Sequence, residues 1–495
     1  MEVILINPPI REHDNPTFPL GLGYLAAVLR KEGHGVIVID AAAHRLKKDE
    51  IINEIKKHKF DVLAIGGLIT LFKYINSLTS DVKKLYPNIK IISGGSAAST
   101  VPSLFLKRTK VDIGILYEAE MTIIDILKAF KDGTPLKDIP GIAFKDESGN
   151  VIVNPLRERI DNLDNLPFPA YDLFPMEIYL KYDLYLGTKN YTNGAKWMKI
   201  SRTRGCPWRC TFCARNFGNP YKIRSADNVI AEMKMLYSNY GITYFEFQDE
   251  TFTVHKRSTK EFCDRLIESG HNFKWSCLTR ADMVDKELLQ KMKDAGCFYI
   301  NFGLESGSQR MLDAVDKKIK VERMEQAVRW VQEVNIDLAH SFMIGIPGEN
   351  KETVQETIDF CKRLNLHPNF FICTPYPGTI LWDKLKQEGK LQTEEEEETY
   401  INGLGESGDA INLNMNVSGL SNEELLNLRD WATKEIANHY YKKHPAEYFK
   451  SRIEWGKFAI RSLRNIYTTH GIQSVFTIIG NKLSGKKTKI FTTSS

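Results

Sequence analysis

Short apolar runs alternate with amphipathic stretches over residues 1–155. The runs lie at positions 3–6, 36–39, 62–65, 89–92 and 113–116. The stretches between them, such as 21–31 and 51–57, repeat apolar residues at helical spacing. Strands that are apolar on both faces and separated by helices are typical of a parallel, doubly wound sheet. We therefore predict that residues 1–155 form an α/β domain of this kind.

Three loops that follow predicted strands of this sheet are rich in glycine and proline. They are Asn7-Pro8-Pro9, Gly66-Gly67 and Gly94-Gly95-Ser96. Ligands of doubly wound sheets bind at the carboxyl ends of the strands, and glycine there lets a ligand approach the backbone closely. Any single loop could be no more than a tight strand-to-helix turn. Three such loops together favour a ligand site.

A second β/α region follows an interruption rich in proline and aspartate. The interruption, residues 156–195, is predicted to be a linker that lies on a surface. Six apolar runs then alternate with helical patterns between residues 196 and 390, at 198–202, 244–248, 274–279, 299–304, 338–344 and 369–373. Six β/α units predict a partial (β/α)6 barrel with its chemistry at the strand carboxyl ends. Residues 391–495 lack this alternation, so we predict a mainly helical domain in which the acidic run 394–398 is a solvated helix face.

Composition narrows the class of protein further. The chain has 495 residues, of which 42% are hydrophobic and 26% charged, as in a soluble globular protein. No uncharged apolar run approaches the ~18 residues of a membrane span, and residues 1–6 lack the basic segment of a secretory leader. A net charge of +5 gives no sign of nucleic-acid binding. We expect a cytoplasmic protein that binds no nucleic acid.

Three of the eight cysteines fall in one loop directly after the first barrel strand. They are Cys206, Cys210 and Cys213, spaced Cys-x3-Cys-x2-Cys. A loop of this size can present three thiolates to a soft metal centre. An iron–sulfur cluster is favoured over zinc, because zinc would need a fourth ligand and no second ligand pair has zinc-like spacing. The neighbouring Arg204, Arg209 and Arg215 are expected to be solvated rather than to hold an anionic reductant.

This spacing, with the aromatic Phe212 before the last cysteine, resembles that of the radical S-adenosylmethionine (SAM) enzymes. Further motifs at the predicted strand ends match the same family in order and spacing. They are Gln248-Asp249-Glu250, Arg280, Glu305-Ser306, Gly345-Ile346 and Pro375-Tyr376-Pro377. The resemblance covers residues 196–390. It implies that the three cysteines hold three irons of a 4Fe–4S cluster whose fourth iron chelates SAM.

The resemblance also implies which residues contact the methionine part of SAM. Gln248, Asp249 and Glu250 would lie near its amino group, with Asp249 and Glu250 the candidates for the ammonium. As an alternative, these two carboxylates would cap the following helix. Arg280 would offer a two-pronged donor to the SAM carboxylate.

The nucleoside part of SAM has its own implied contacts. Glu305 and Ser306 would hydrogen-bond the ribose or the amino group. Backbone groups of Gly345 and Ile346 would pass close to the adenine. Phe212 would pack on the adenine edge.

The first domain resembles the cobalamin-binding domain of the radical SAM enzymes that carry a corrinoid. The resemblance rests on Asn7-Pro8-Pro9, residues 19–24, Gly94-Gly95, Glu118-Ala119-Glu120 and residues 163–169. It implies a Rossmann-like fold that binds cobalamin at its strand-end loops. The implied contacts are Pro9, Leu20, Gly21, Thr70, Leu71, Gly94, Gly95, Ser96 and Glu118.

Two features depart from the pattern of that domain. Tyr117 and Ala119 stand where the family usually has glycine, at a point where a corrinoid face could pass. The Asp-x-His-x-x-Gly signature of a histidine-ligated corrinoid is absent, and His44 lies in a different loop. A lower-face histidine ligand is therefore not expected.

Together these resemblances imply a cobalamin-dependent radical SAM methyltransferase. A 5′-deoxyadenosyl radical would take hydrogen from an unactivated substrate carbon, which would then receive methyl from methylcobalamin. One alternative is a radical SAM cyclase or rearrangement enzyme of the same architecture that does not methylate, and another is a non-enzymatic metal-binding sensor. Tyr376 and Cys373 are candidate catalytic residues. Glu246 also points toward a substrate, although all three suit the core equally well.

Partners follow from the same resemblance and from the end of the chain. The substrate could be a small molecule, a peptide or a lipid, and an electron donor such as flavodoxin or ferredoxin is implied. The basic amphipathic stretch 466–487 could rest on an anionic membrane surface. A helical lid with a basic tail is the preferred interpretation of this segment.

Overall fold

The fold is described here from a computed structural model that covers residues 1–9, 15–186, 189–214, 217–218, 221–407 and 413–449. The first sheet has seven strands in the order β2-β1-β3-β4-β5-β6-β7, defined as follows. The strands are β1 Glu2–Asn7, β2 Gly35–Asp40, β3 Val62–Gly66, β4 Lys90–Gly94, β5 Ile113–Ile115, β6 Ile142–Lys145 and β7 Val151–Val153. The five parallel strands have the 2-1-3-4-5 order of a doubly wound sheet. This confirms the predicted fold, whereas the antiparallel pair β6 and β7 at the sheet edge was not predicted.

The second sheet is a parallel half-barrel in the order β10-β13-β14-β15-β16-β17. Two short antiparallel pairs, β8 with β9 and β11 with β12, flank it. The bounds are β8 Tyr185–Leu186, β9 Lys189–Asn190, β10 Lys196–Ile200, β11 Thr203–Arg204, β12 Lys222–Ile223, β13 Ile242–Phe247, β14 Lys274–Thr279, β15 Cys297–Glu305, β16 Asp337–Ile344 and β17 Asn369–Ile372. All six predicted barrel strands are therefore present.

Helices connect the strands of both sheets. The α-helices are α1 Leu20–Lys31, α2 Ala41–His44, α3 Lys48–Lys56, α4 Phe72–Leu85, α5 Ser96–Thr100, α6 Pro102–Arg108, α7 Glu120–Asp132, α8 Met176–Tyr179, α9 Ala226–Tyr240, α10 Lys256–Glu268, α11 Lys286–Asp294, α12 Gln309–Ala314, α13 Val321–Glu333, α14 Lys351–Leu364, α15 Ile380–Gln387, α16 Glu394–Ser407 and α17 Asn422–Lys443. Single 3-10 turns lie at Ile69–Leu71, Leu136–Asp138, Leu163–Asn165, Tyr171–Leu173 and Ala281–Met283.

Strand β1 shows how the first sheet is covered on both faces. Val3 and Leu5 belong to one apolar cluster and Ile4 and Ile6 to another, and all four are fully buried. Alternate side chains point to opposite faces of a strand. The apolar run at 3–6 is therefore continuous because both faces of the sheet are packed.

The segment 156–195 packs into the protein core. Tyr171, Phe174 and Tyr179 are at most 6% exposed and belong to the same cluster as Val3 of the first sheet and Met198 of the half-barrel. This segment was expected to lie on a surface. Its aromatic side chains instead join the two sheets into one continuous hydrophobic core.

Helix α16 rests on the first domain through the acidic run. The carboxylates are partly exposed, as expected of a helix face, but they also pair with α6. Lys107 lies 2.5 Å from Glu394, and Arg108 lies 2.9 Å from Glu395 and 2.8 Å from Glu398. The run is thus a bridge between the C-terminal region and the first domain.

Helix α17 begins at the predicted capping box. Ser421 accepts from the backbone N–H of Glu424, whose side chain accepts from the backbone of Ser421. The basic stretch 466–487 lies outside the described residues. Within the part of the chain that the structure describes, no helix is both long and apolar enough to cross a bilayer.

Candidate active site

A cavity of about 400 Å³ lies at the carboxyl edge of the first sheet. Its floor is formed by the ends of β1, β3 and β4, at Asn7, Gly66 and Gly94. Strands β1 and β3 are neighbours whose connections leave in opposite directions, which is where doubly wound sheets open a ligand crevice. The volume lies in the range of small-molecule and cofactor pockets, and the lining is mostly apolar.

Glycines make this cavity wide. A Cβ atom built at Gly21 or Gly66 would meet no heavy atom within 4 Å, so both positions open into free space. Gly95 has φ of +88°, and a Cβ there would lie 2.5 Å from the carbonyl oxygen of Gly67. The edge therefore forms a shallow cradle of backbone that suits a large flat ligand such as a corrin.

Seven of the nine residues predicted to contact cobalamin line this cavity. They are Leu20, Gly21, Leu71, Gly94, Gly95, Ser96 and Glu118. Pro9 and Thr70 are not part of the lining. Pro8 takes the place of Pro9, and the 3-10 turn Ile69–Leu71 contributes Leu71 rather than Thr70.

Tyr117 occupies the first of the two positions that lack the usual glycine. Its φ is +62°, in the left-handed region that a bulky residue rarely adopts. Its backbone N–H donates to the hydroxyl of Ser99, and its side chain is 40% exposed on the cavity wall. The loop thus keeps a glycine-like backbone although the glycine is missing.

Arg204 joins the cavity to the cysteine loop, which corrects the expectation that it is solvated. It is 5% exposed and lies 3.1 Å from Glu118 and 2.7 Å from Glu120. Its guanidinium lies 5.1 Å from the ring centres of both Tyr24 and Phe217. Burial alone would lower the pKa of Arg204, but Glu120, Tyr24 and Glu118 together outweigh it and the pKa is raised.

The other two arginines behave differently. Arg209 is exposed, as expected, and Arg215 lies outside the described residues. No alternation singles out Arg204 in the sequence, since both residues of strand β11, Thr203 and Arg204, are buried.

The three cysteines lie in the loop between β11 and the half-barrel mouth. Cys210 is buried, whereas Cys206 and Cys213 are partly exposed. Backbone hydrogen bonds hold the loop: the N–H of Cys206 donates to Gly218, and that of Thr211 donates to Val315. The cysteine motif is therefore fixed against the half-barrel at two points.

The thiols fit a cluster better than a single ion. Burial first, and then the neighbouring Cys210 and Cys206, raises the pKa of Cys213 to about 12, so the three sulfurs lie close enough to interact. Among the described residues, no three Cys, His, Asp or Glu side chains converge tightly enough to hold one metal ion. Three thiol donors on one loop suit three irons of a larger centre.

Two cations lie against the buried cysteine. Burial raises the pKa of Cys210, while the charges of Lys317 and Arg280 oppose that rise. Arg280 stacks 4.3 Å from the ring centre of Trp208, and its Nη1 lies 3.8 Å from Cys210 Sγ. Its other donors are taken by both carboxylate oxygens of Asp282 and by the backbone oxygen of Lys317. The guanidinium is thus directed at the cysteine loop.

Lys317 was missed in the sequence because nothing distinguishes it from its charged neighbours. It is 4% exposed and lies 2.8 Å from Glu305, the predicted nucleoside contact. Glu305 has φ of +65°, and a Cβ at Gly303 would come within 2.6 Å of its carboxylate. The glycine therefore makes room for this buried ion pair beside the cysteine loop.

The predicted contacts after β13 have different surroundings. Asp249 is 3% exposed, and its Oδ1 accepts from the backbone N–H of Arg202 at 2.8 Å. Gln248 is exposed and Glu250 is partly buried. The charge of Glu250 acts on Cys213, which places that carboxylate beside the cysteine loop.

The remaining predicted SAM contacts lie at the ends of β15 and β16. The hydroxyl of Ser306 is buried 3.0 Å from that of Thr357. The backbone N–H groups of Gly345 and Ile346 both donate to Glu349, at 2.5 and 3.3 Å. Burial raises the pKa of Glu349 to about 7. Both loops are therefore fixed by hydrogen bonds to α14 or to Glu349, just before it.

The other predicted site residues border the same region. Phe212 and Tyr376 are partly buried and pack against the second apolar cluster. Cys373 is 1% exposed within that cluster, and burial raises the pKa of its thiol to about 12. Its side chain is packed as a core residue.

Comparison with known proteins agrees with both sites. Residues 200–361 match the radical SAM superfamily and residues 9–127 match the B12 binding domain. An uncharacterized methyltransferase of Pyrococcus horikoshii is 32% identical over 392 residues, covering 77% of this chain and 83% of its own. The cytidylyl-2-hydroxyethylphosphonate methyltransferase of Streptomyces wedmorensis is 27% identical, covering 81% of this chain and 85% of its own.

Solved structures show the same fold. The cobalamin-dependent SAM radical enzyme OxsB, with aqua-cobalamin and SAM bound, has a TM-score of 0.69 and 19% identity, over 98% of this chain and 75% of its own. The radical SAM methyltransferase TsrM of Kitasatospora setae, with cobalamin and a 4Fe–4S cluster bound, has a TM-score of 0.65 and 18% identity, over 79% of this chain and 76% of its own.

Fold and site together define a protein that binds a corrinoid over its first sheet and a SAM-cleaving cluster over its second. The chain belongs to the cobalamin-binding methyltransferase group of the radical SAM superfamily. The cofactors of this group are a 4Fe–4S cluster, SAM and cobalamin. The glycine cradle and the three-thiol loop fit these groups.

Proposed function

We propose that this enzyme transfers a methyl group to an unactivated carbon of its substrate. The observation that carries the proposal is that the cavity of the first sheet extends to the segment that holds the cysteines. Its lining includes Gly66 and Gly94 of the first sheet, and also Arg204, Ala214 and Phe217 from the segment that holds the cysteines. A methyl donor and a radical source placed there would face the same space.

The bound cofactors would supply a methyl group and a carbon-centred radical, and the protein would position them. Cys206, Cys210 and Cys213 would hold the cluster. Glu250 lies where it can take an ammonium group, and Lys317 where it can take a carboxylate. Glu250 acts on Cys213 and Lys317 acts on Cys210, so both charges lie near the cysteine loop.

The protein also shields this chamber from water. Gly378, in the loop after β17, packs against Thr100 of α5 so closely that a Cβ would come within 2.7 Å of that side chain. Helix α16 covers the neighbouring turn with the buried Ile401 and Leu404. These contacts cover one side of the cavity, and cover of this kind protects a reactive radical from side reactions.

The roles of the remaining predicted residues form part of the same proposal. Phe212 would border the adenine, and Tyr376, which is only partly buried, would be the one of the two candidate catalytic residues that contacts substrate. Cys373 is better suited to packing, because it is almost fully buried. An external one-electron donor would reduce the cluster.

The test uses reconstituted enzyme, excess reductant and SAM with a deuterated methyl group, and needs no substrate. The methylation proposal predicts both 5′-deoxyadenosine and S-adenosylhomocysteine, with the label recovered on cobalamin. Deoxyadenosine without S-adenosylhomocysteine would contradict methylation and favour a cyclase. The cyclase outcome is a specific alternative, because some relatives are named as anaerobic magnesium-protoporphyrin IX monomethyl ester cyclases, such as that of Rubrivivax gelatinosus at 26% identity.

A further inference from the structure

The inner wall of the half-barrel carries a row of polar side chains that the cofactor sites do not use. Strand pairing aligns Lys199 with Glu246, Glu246 with Ser276, and Ser276 with Tyr299. Residues that are register partners in a parallel sheet lie on the same face. The four side chains therefore form one band across β10, β13, β14 and β15.

Their neighbours in sequence show which face this is. Phe245, Phe247 and Trp275 are at most 2% exposed, and the Trp275 ring contacts Phe262 of α10. These side chains fill the outer, helix-covered face. Glu246 and Ser276 alternate with them, so they point into the concave interior.

Asn301 adds a second level to this band. It lies two residues beyond Tyr299 on β15, about 7 Å toward the cysteine loop at the rise of a strand. Barrel interiors are usually filled by bulky branched side chains. Here a carboxylate, an amide, two hydroxyls and an ammonium lie on the wall, and Leu278, the register partner of Asn301, is the apolar side chain beside them.

Several of these groups have no partner in the protein. Ser276 is 2% exposed, and its buried hydroxyl makes no hydrogen bond; the same holds for the Asn301 side-chain oxygen. Within the described residues, no Lys, Arg or His lies in ion-pair distance of Glu246. A buried polar group without a partner costs ~1–3 kcal/mol. Such groups are retained where a ligand completes them.

The band is closed at one end and open at the other. Beneath it, the Tyr191 ring lies 4.9 Å from the Phe298 ring and 5.4 Å from the Tyr299 ring. An ion pair between Lys189 of β9 and Asp337 of β16 fixes the segment that carries Tyr191 to the half-barrel. These contacts cover the end of the band that lies away from the cysteine loop, so a ligand is expected to enter from the side of that loop.

We infer that this band, with Glu246 at its centre and Ser276, Tyr299 and Asn301 around it, binds the substrate through a protonated amine flanked by hydroxyl groups. The inference rests on the proposed function and names its substrate class as an aminated, polyhydroxylated molecule. The Glu246 carboxylate accepts from the ammonium. The side-chain oxygen of Asn301 accepts hydrogen bonds from the substrate hydroxyls, and the hydroxyls of Ser276 and Tyr299 accept from or donate to them. Lys199 lies at the end of the band, on the edge strand β10.

This chemistry excludes a lipid as the group bound inside the barrel. A hydrocarbon placed against the band would leave Glu246, Ser276 and Asn301 unpaired and would exclude their water. A burial penalty of this kind opposes binding. The substrate class is therefore set by the wall itself, independently of the C-terminal region.

Glucosamine is the probe, and two matched ligands serve as controls. Glucose lacks the amine, and cyclohexanol lacks both the amine and all but one of the hydroxyls. Binding is measured by calorimetry on reconstituted enzyme saturated with SAM. We expect saturable glucosamine binding, weaker glucose binding and no cyclohexanol binding. Absence of glucosamine binding, or equal binding of cyclohexanol, would overturn the inference.

Point variants of the polar band test whether glucosamine binds there. Glu246→Gln should weaken glucosamine binding at least tenfold and leave glucose unchanged, while Ser276→Ala should weaken both about threefold. The control is Asp264→Asn, which alters a carboxylate on α10 behind the same sheet and should change neither. Equal affinity in all variants would overturn the inference.

SAM binding separates this site from the cofactor site. The affinity of Glu246→Gln for SAM should equal that of the wild type, since Glu246 lies deeper than the strand-end loops. A parallel loss of SAM and glucosamine affinity would assign Glu246 to the SAM site and overturn the inference. The labelled-SAM product test is independent of glucosamine, so failure of the substrate class and failure of methylation are distinguishable.

Discussion

The cavity over the first sheet and the cysteine loop over the second both lie at the carboxyl ends of parallel strands. The residues that surround them differ in chemical character. The cavity is a surface of glycine backbone and apolar side chains, with Gly21 and Gly66 open to free space. The cysteine loop is surrounded by buried charge, with Arg280, Lys317 and Glu305 beside Cys210. A large flat ligand is recognised by shape, whereas thiolate-bound iron and a charged ligand require compensating charges.

The contrast predicts that the cysteine loop can be disabled without disturbing the cavity. Cys210→Ser should abolish SAM cleavage and reduce bound iron to below about one atom per chain, because two thiolates cannot hold the cluster. Cobalamin affinity should stay within about twofold of the wild type. The measurements are iron analysis and cobalamin absorbance titration.

A matched control for this variant is Cys361→Ala, which alters a buried cysteine of α14 away from the loop. It should retain full iron and SAM cleavage. Loss of cobalamin binding in folded Cys210→Ser would show that the two sites are not separable.

The second prediction concerns the one buried charge cluster that the two sites share. Arg204→Met should destabilise the protein by about 3–5 kcal/mol, because Glu120 would remain buried without its cation and Glu118 would keep only the more distant Arg159, at 3.5 Å. Urea unfolding measures this loss. Arg30→Met, which removes the exposed pair of Arg30 with Asp172, should change stability far less.

The third prediction tests recognition by shape. Gly66→Val should weaken cobalamin binding at least tenfold, because its side chain would enter the open cavity, while the melting temperature changes little. Gly95→Ala should weaken binding and also cost about 1–3 kcal/mol of stability, since its φ is +88° and its Cβ would collide with Gly67. Unchanged cobalamin affinity in Gly66→Val would contradict a cofactor site in this cavity.

The last prediction is a pH dependence of stability that arises in the loop after β16. Burial raises the pKa of Glu349 to about 7 from an ordinary 4.5. Between these values the folded protein holds a proton that the unfolded chain has released, so folding stability falls as the pH rises through this window.

Glu349→Gln keeps an acceptor for Gly345 and Ile346 but cannot ionise. Relative to the wild type, its free energy of unfolding should increase by ~1–3 kcal/mol between pH 5 and pH 8. Urea unfolding at both pH values measures the difference. A constant difference between variant and wild type would mean that Glu349 does not titrate in this range.

The sequence predicts the architecture well because burial on both faces makes parallel strands continuous apolar runs. Strand β14 was predicted with its observed bounds, Lys274–Thr279, and the capping box at Ser421 marks the start of α17. The edge hairpin of β6 and β7 escaped prediction, since β7 is three residues long and mostly exposed.

The candidate sites were only partly predictable. Motif residues such as Cys206 and Gly94 are recognised by their spacing, which can be read directly from the sequence. Arg204 and Lys317 acquire their importance from carboxylates far away in the sequence, at Glu120 and Glu305, and local pattern carries no record of such a partner. The aromatic residues of segment 156–195 were likewise hidden by the prolines around them.

The central claim is that one chain holds both cofactors, and the most direct test is a count of iron and cobalt. Protein reconstituted anaerobically with iron, sulfide and hydroxocobalamin is desalted and analysed for both metals. The account predicts about four irons and one cobalt per chain. Four irons with cobalt near zero would contradict it, and would leave the glycine-lined cavity without its ligand.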